Sequence, residues 1–299
     1  MKRVLVTGAT GFVGRHTLAH LRARGFGVHA VTRGKPIESD GTTWHTCDLF
    51  DDDQVADMLA RTKPTHLLHI AWYVAHGAFW NAPENLHCVQ SSLSLFEHFT
   101  RNGGQRIAVA GTCFEYDLAH GWLSEDSTPT GPHTLYGTAK DSLRRLLESS
   151  LKDSEVTWAW GRIFFPYGPH EGPNRLVPSV VGALLKGEAT RCSPGTQIRD
   201  FMHVDDVALA LVALLDSSCY GPTNICSGDP VAIKDVVVAI GEEVGCPDLV
   251  RLGDLPLGNQ PPFLVGDSRK LHAETDFKGG RSLAEGIAET VDWWRGRPT

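Results

Sequence analysis

The stretch Leu5-Val6-Thr7-Gly8-Ala9-Thr10-Gly11-Phe12-Val13-Gly14 decides how this 299-residue chain is read. Val4-Leu5-Val6 is a short apolar run of strand type that stops at a glycine. Beyond it, Phe12, Val13, Leu18 and Leu21 recur at roughly helical spacing until Gly25 and Gly27 end the pattern. Strand, glycine turn and helix in that order make a cradle for an anion. Glycine permits positive φ and a close approach of backbone to a pyrophosphate. The free N–H groups and partial positive charge of the helix N-terminus then attract it. The Gly-x-x-Gly-x-x-Gly spacing, this near the start of the chain, points to a dinucleotide. The competing use of three such glycines is a plain tight turn.

Working outward, Val28–Val31, Thr65–Ala71 and Ile107–Ala110 read as further strands, with Leu86–Phe99 and Leu135–Leu151 as helices between or after them. Strands alternating with helices are the signature of right-handed βαβ units, so the expected fold class is α/β with a doubly wound parallel sheet. After about residue 165 the pattern changes. Pro166, Gly168, Pro169, Gly172, Pro173, Pro178, Pro194 and Gly195 break the chain into shorter pieces. Helices return at Val204–Leu215, Ile233–Val244 and Leu283–Trp294, the last preceded by the proline- and glycine-rich stretch Leu252–Gly266. The expected division is a dinucleotide-binding domain over 1–165 and a smaller, loop-built substrate-binding region over 166–299. Residues near 196–220 are expected to return to the first.

Composition narrows the class. Twenty-eight basic against 35 acidic side chains give a net charge of −7 and a pI near 6.0. With no local basic run either, nucleic acid is excluded as a partner. Hydrophobic residues at 41% and charged ones at 21% suit a sizeable buried core. The longest apolar run, Val207–Leu215, is nine residues, under half of the ~20 that a membrane-spanning helix needs. Met1-Lys2-Arg3 leads into a strand pattern, not into a secretory leader. Seven cysteines without a Cys-x-x-Cys pair fit reduced thiols, and so a cytoplasmic location.

Two further clusters carry chemistry. Thr32-Arg33-Gly34-Lys35 ends the second strand, where an acidic residue would hold a ribose 2′-hydroxyl and Arg or Lys a 2′-phosphate. The first acidic residue here, Glu38, comes several positions later, so Arg33 favours NADP(H), with NAD(H) the alternative. Asp48 is placed either to bond the adenine amine or to cap the next helix. Tyr136-Gly-Thr-Ala-Lys140 sets a phenol and an ammonium at i and i+4 on one helix face. A phenol titrates near ~10; a neighbouring ammonium favours the phenolate and brings the group toward working range. The same ammonium can hold the nicotinamide ribose. Thr112, at a strand end, is placed to hydrogen-bond the substrate oxygen beside Tyr136. His170-Glu171 has no third ligand at helical or hairpin spacing, so no metal is expected. His203, Asp205 and Asp206 read as the cap and first turn of a helix.

These segments together resemble the extended short-chain dehydrogenase/reductase family, in its sugar-nucleotide epimerase/dehydratase/reductase branch. The resemblance runs end to end, through His69-Ile70-Ala71, Gly111-Thr112, Arg162 with Tyr167-Gly168-Pro169, Asn174-Arg175-Leu176-Val177-Pro178, and Gly195 to Asp206. It implies a Rossmann fold with Thr112, Tyr136 and Lys140 as the catalytic triad. It implies cofactor contacts at Gly8, Thr10, Gly11, Phe12, Val13, Arg33, Asp48, Leu49, Ala71, Tyr136 and Lys140. Substrate contacts fall at Thr112, Cys113, Asn174 and Arg199. Arg199 would grip the substrate pyrophosphate, a task suited to a planar guanidinium; its alternative is an ion pair with Asp200. A homodimer through Leu86–Phe99 and Leu135–Leu151 is also implied.

The departures choose among reactions. The family's 4,6-dehydratases carry Asp-Glu directly after the catalytic Thr, where this chain has Cys113-Phe114. Members that epimerise beside the keto group use a Cys two residues past the Thr and a His before the Leu-Val-Pro-like stretch; Phe114 and Arg175 stand there. Cys113 is expected as a small residue lining the pocket. Trp72 and Tyr73, after Ala71, are unusually bulky. What remains is a triad that moves one hydride and one proton. The expected activity, resembling that of NDP-4-keto-6-deoxyhexose reductases, is NADPH-dependent reduction of the 4-keto group of a nucleotide-linked 4-keto-6-deoxyhexose. The alternative is an NAD-dependent sugar-nucleotide 4-epimerase with tightly bound cofactor.

Overall fold

Val4, Leu5 and Val6 expose no surface at all; a strand covered on both faces needs an unbroken apolar run, not an alternating one. That strand lies inside a seven-stranded parallel sheet, in a computed structural model that describes residues 2–36 and 41–297. Glu38 lies outside the described residues. In chain order the strands are β1 (Arg3–Thr7), β2 (Gly27–Thr32), β3 (Thr42–Thr46), β4 (His66–His69), β5 (Arg106–Thr112), β6 (Trp122–Leu123), β7 (Thr157–Ile163), β8 (Phe165–Tyr167), β9 (Thr190–Cys192), β10 (Ile198–His203), β11 (Gly221–Ile225), β12 (Pro230–Ala232), β13 (Val250–Leu252) and β14 (Phe263–Gly266). The helices are α1 (Gly14–Ala23), α2 (Asp52–Thr62), α3 (Glu84–Arg101), α4 (Leu135–Ser150), α5 (Leu176–Leu185), α6 (Val204–Leu215), α7 (Ile233–Val244), α8 (Arg269–Glu274) and α9 (Leu283–Arg295).

The large sheet runs β11-β7-β5-β4-β1-β2-β3. Val6 pairs with Ala30 on one side and Leu68 on the other, so the strand order reverses about β1. In a doubly wound sheet the ligand crevice opens at the carboxyl ends of the strands beside such a switch point. One face is covered by α1 and α6, through Leu18, Leu21, Val207, Leu211 and Leu214. The other is covered by α2, α3 and α4, through Val55, Leu59, Leu95, Phe99, Leu143 and Leu147. The fold is therefore the expected α/β, Rossmann-like arrangement.

The chain leaves this sheet after β7 and comes back. α6 packs against α1, and β11 pairs with β7 from Gly221↔Ala159 to Ile225↔Ile163. A five-stranded sheet holds β12-β10-β14-β6 with β8 also on β10, β6 reaching it from between β5 and β7. Beside it α5, α7 and α9 share a core of Val177, Val181, Leu184, Val236, Ile240, Ile287 and Val291. His203 caps α6 as expected, its side chain accepting from the Asp205 N–H. Arg281 then ties Asp205 and Asp206 to the C-terminal segment. No helix among the described residues is long and apolar enough to cross a membrane.

Candidate active site

The glycine loop is as tight as its sequence implies. Gly8 has φ +71°, and a Cβ there would stand 2.7 Å from the Ala71 nitrogen; one on Gly14 would meet the Gly8 carbonyl oxygen at 2.1 Å. Both glycines therefore serve the close packing of α1 on the strand ends, leaving the exposed turn at Thr10 and Gly11 for an anion. Thr7 holds the facing strand end. Its hydroxyl accepts from the Ile70 and Ala71 N–H groups and meets His69 Nδ1 at 2.8 Å. Arg15 braces the loop from behind by donating to the carbonyls of Thr10 and Gly11. Such a cradle fits a dinucleotide. Arg33 stands exposed at the end of β2 and is followed by Gly34, Lys35 and Pro36. Asp48 is not the cap of α2. Asp51 is, accepting from the Gln54 N–H, while Asp48 Oδ1 closes a turn onto the Phe50 N–H. Leu49 packs against the core beneath, and Phe12 and Val13 are half-buried ahead of α1.

Thr112, the last residue of β5, and Tyr136, in the first turn of α4, come together. Burial pushes the phenol up, while the Thr112 hydroxyl beside it pulls the other way. Lys140, one turn on, is 2% exposed. Its Nζ donates to the Ala110 carbonyl at 2.7 Å and sits 3.7 Å from the centre of the Trp72 ring. Burial draws this ammonium down to about 7.

Sequence reasoning noted the bulk of Trp72 but missed the enclosure it forms with Phe79 and Trp80. Phe79 meets the Tyr136 ring edge-on at 4.9 Å, Trp80 at 6.0 Å and Trp72 at 6.5 Å. Phe114 continues the wall from Trp80 to Phe165. Arg175 lies over Phe79 and adds its charge to the surroundings of the phenol. The available signal was the density of aromatic residues at positions 72–80, in a loop that a doubly wound sheet places at its ligand crevice.

Glu115 is the second omission. Fully buried, it accepts from the Thr112 backbone N–H and the Trp160 indole through Oε1, both at 2.8 Å, and from Arg162 Nε through Oε2 at 2.8 Å. The carboxyl end of β5, which carries Thr112, is thus pinned by an ion pair with β7.

Arg199, on β10, is 2% exposed and has no carboxylate partner among the described residues. Its guanidinium donates to Ile198 O and to Gln260 and stacks near Phe165. The alternative of a pair with Asp200 is overturned, because that carboxylate is consumed by the N–H groups of Ser227, Gly228 and Gly266 and by the Ser227 hydroxyl. Asn174 stands exposed in the turn before α5. The expectation that Cys113 lines the pocket is not met. Its side chain is wholly buried among Tyr116, Leu123, Phe164, Cys226 and Leu264, and burial pushes its thiol up. His170 and Glu171 lie in the turn before α5, where Glu171 Oε2 is buried without a hydrogen-bond partner among the described residues. The His170 ring contacts Arg15 and Trp293, and burial raises the Glu171 carboxyl to about 8.

A sequence model of the NAD dependent epimerase/dehydratase family matches residues 4–226. Among curated relatives, UDP-glucose 4-epimerase of Bacillus subtilis is 25% identical, over 97% of this chain and 96% of its own. The dTDP-4-dehydro-6-deoxy-D-allose reductase of Streptomyces bikiniensis is 26% identical, over 98% and 96%. Among solved structures, MoeE5 in complex with UDP-glucuronic acid and NAD superimposes with a TM-score of 0.84 at 30% identity, covering 98% of this chain and 99% of that one.

Proposed function

The chain belongs to the NAD dependent epimerase/dehydratase family, and from that premise we propose that it is an NADPH-dependent 4-ketoreductase acting on a nucleotide-linked 4-keto-6-deoxyhexose. It is an enzyme of sugar-nucleotide chemistry, with relatives that include both reductases and 4-epimerases. A dinucleotide held by Gly8, Thr10, Gly11, Phe12, Val13, Arg33, Asp48, Leu49 and Ala71 would supply the hydride. Tyr136 donates the proton to the oxygen of the reduced carbon, Thr112 hydrogen-bonds that oxygen, and Lys140 holds the nicotinamide ribose beside them. Arg199 and Asn174 take the substrate pyrophosphate.

The observation that supports a reductase using exchangeable NADPH is Arg33, exposed at the end of β2 where a ribose 2′-phosphate would be held. Exposed Leu86 and Leu146 on α3 and α4 support a homodimer through those helices.

The cofactor decides between the readings. The purified protein is expected to release no stoichiometric NAD on denaturation and to bind NADPH at least ~10-fold more tightly than NADH, about one charged contact's worth. Arg33→Ala should erase that difference. Tightly held NAD would overturn the reductase and favour the 4-epimerase. For Arg199→Met, KM for the sugar nucleotide should rise on the order of 100-fold, the loss of a charged hydrogen bond to phosphate. The sugar-free variant should melt a few degrees higher, since an apolar side chain replaces a buried charge that lacks a counter-ion.

A further inference from the structure

We propose that Trp72 is a positioning residue for Lys140, and that Asn85 sets Trp72 in that role. The Trp72 Nε1 donates to Asn85 Oδ1 at 2.8 Å. Asn85 is fully buried in the first turn of α3, and its amide nitrogen donates to the carbonyls of Phe79 at 2.7 Å and Ala82 at 2.9 Å. One side chain thus fixes the indole plane and the turn that carries Phe79 and Trp80. The indole face so presented lies 3.7 Å from Lys140 Nζ. Trp is the ring most attractive to a cation, and the attraction grows where water is excluded.

The other groups facing Lys140 leave it little else. Glu115, after β5, adds a favourable charge but has its oxygens committed to Arg162, Trp160 and the Thr112 N–H. Cys88, from α3, is held as the thiol by burial. His69, from β4, is pulled down to about 3 and bonded on both sides by Thr7 and Ser92. Tyr136, on α4 itself, is held protonated. Beside the charge of Glu115, the Ala110 carbonyl and the indole are therefore what keep a buried ammonium charged where burial draws it toward about 7.

This rests on the proposed role of Lys140 in holding the cofactor, and its test uses no sugar. NADPH affinity is measured by nicotinamide fluorescence between about pH 6 and 9, spanning the depressed lysine. The proteins compared are wild type, Trp72→Phe, Trp72→Leu and Asn85→Leu, with Lys140→Met identifying the limb that belongs to the lysine. Affinity should fall as pH rises through the Lys140 titration. Its midpoint should drop in the order Trp, Phe, Leu, by about one unit for Trp72→Leu, with Asn85→Leu between wild type and Trp72→Leu. Trp72→Phe keeps the enclosure filled, so the graded order does not depend on the harsher variant folding. A midpoint unmoved across the Trp72 variants overturns the proposal. Failure to reduce any keto sugar would count against the reductase and leave this titration unchanged.

Discussion

Replacing Tyr136 with Phe should lower kcat by about 10³-fold, within the range that a positioned general acid contributes. The substitution removes one oxygen and keeps the ring. The edge-on contacts to Phe79, Trp80 and Trp72 therefore persist, and the fold with them. NADPH affinity is expected to stay within about twofold of wild type, because a loss confined to kcat marks an interaction made only in the transition state. Single-turnover oxidation of NADPH against a panel of nucleotide-linked 4-keto-6-deoxyhexoses measures this directly. Full turnover by the variant would exclude Tyr136 as the acid.

The second large effect lies beneath the site. Glu115→Ala should destabilise the protein by about 3–5 kcal/mol, since removing one member of a buried pair leaves its partner charged and alone. Here the orphan is Arg162, in β7, whose guanidinium is held firmly protonated by Glu115 despite its burial. The Thr112 N–H and the Trp160 indole lose their acceptor as well. Against a typical total of ~5–15 kcal/mol, this removes a large share of the stability. Glu115→Gln keeps Oε1 and should cost roughly half as much. The double variant Glu115→Leu with Arg162→Met should recover most of the loss, because no uncompensated charge remains. Denaturant melts of the four proteins measure these losses; a loss under ~1 kcal/mol for Glu115→Ala would show the pair to be replaceable.

Elements with a period or a glycine signature were legible from sequence alone. The strand–glycine–helix opening lies where it was read, and α6 and α7 match their expected limits to the residue. Polar or short elements were not. β3 is Thr-Thr-Trp-His-Thr on the sheet edge, without the apolar run that marks an inner strand. β11 contributes one bulky apolar residue, Ile225, and takes its identity from pairing with β7. β7 hides an arginine that only a carboxylate from another strand end makes tolerable. α5 sits inside the proline-rich stretch because Pro178 falls in its first turn, where no N–H is required. In the candidate site, Tyr136 and Lys140 declare themselves by spacing. The enclosure joins residues 72, 79, 80, 114 and 136, which only the tertiary fold assembles. The burial of Cys113 likewise depends on Phe164, Cys226 and Leu264, strands away.

The return of the chain to its first sheet bears on how the protein is made. When Ile163 leaves the ribosome, β7 is an open edge, and the strand that will cover it, ending at Ile225, follows about 60 residues later. At ~5–20 residues per second that interval lasts several seconds. Throughout it, the unpaired edge and the apolar face awaiting α6 are available to other nascent chains. A fragment cut near residue 165 would carry that exposure permanently, so the nucleotide-binding half of this molecule should not be expressible as a piece.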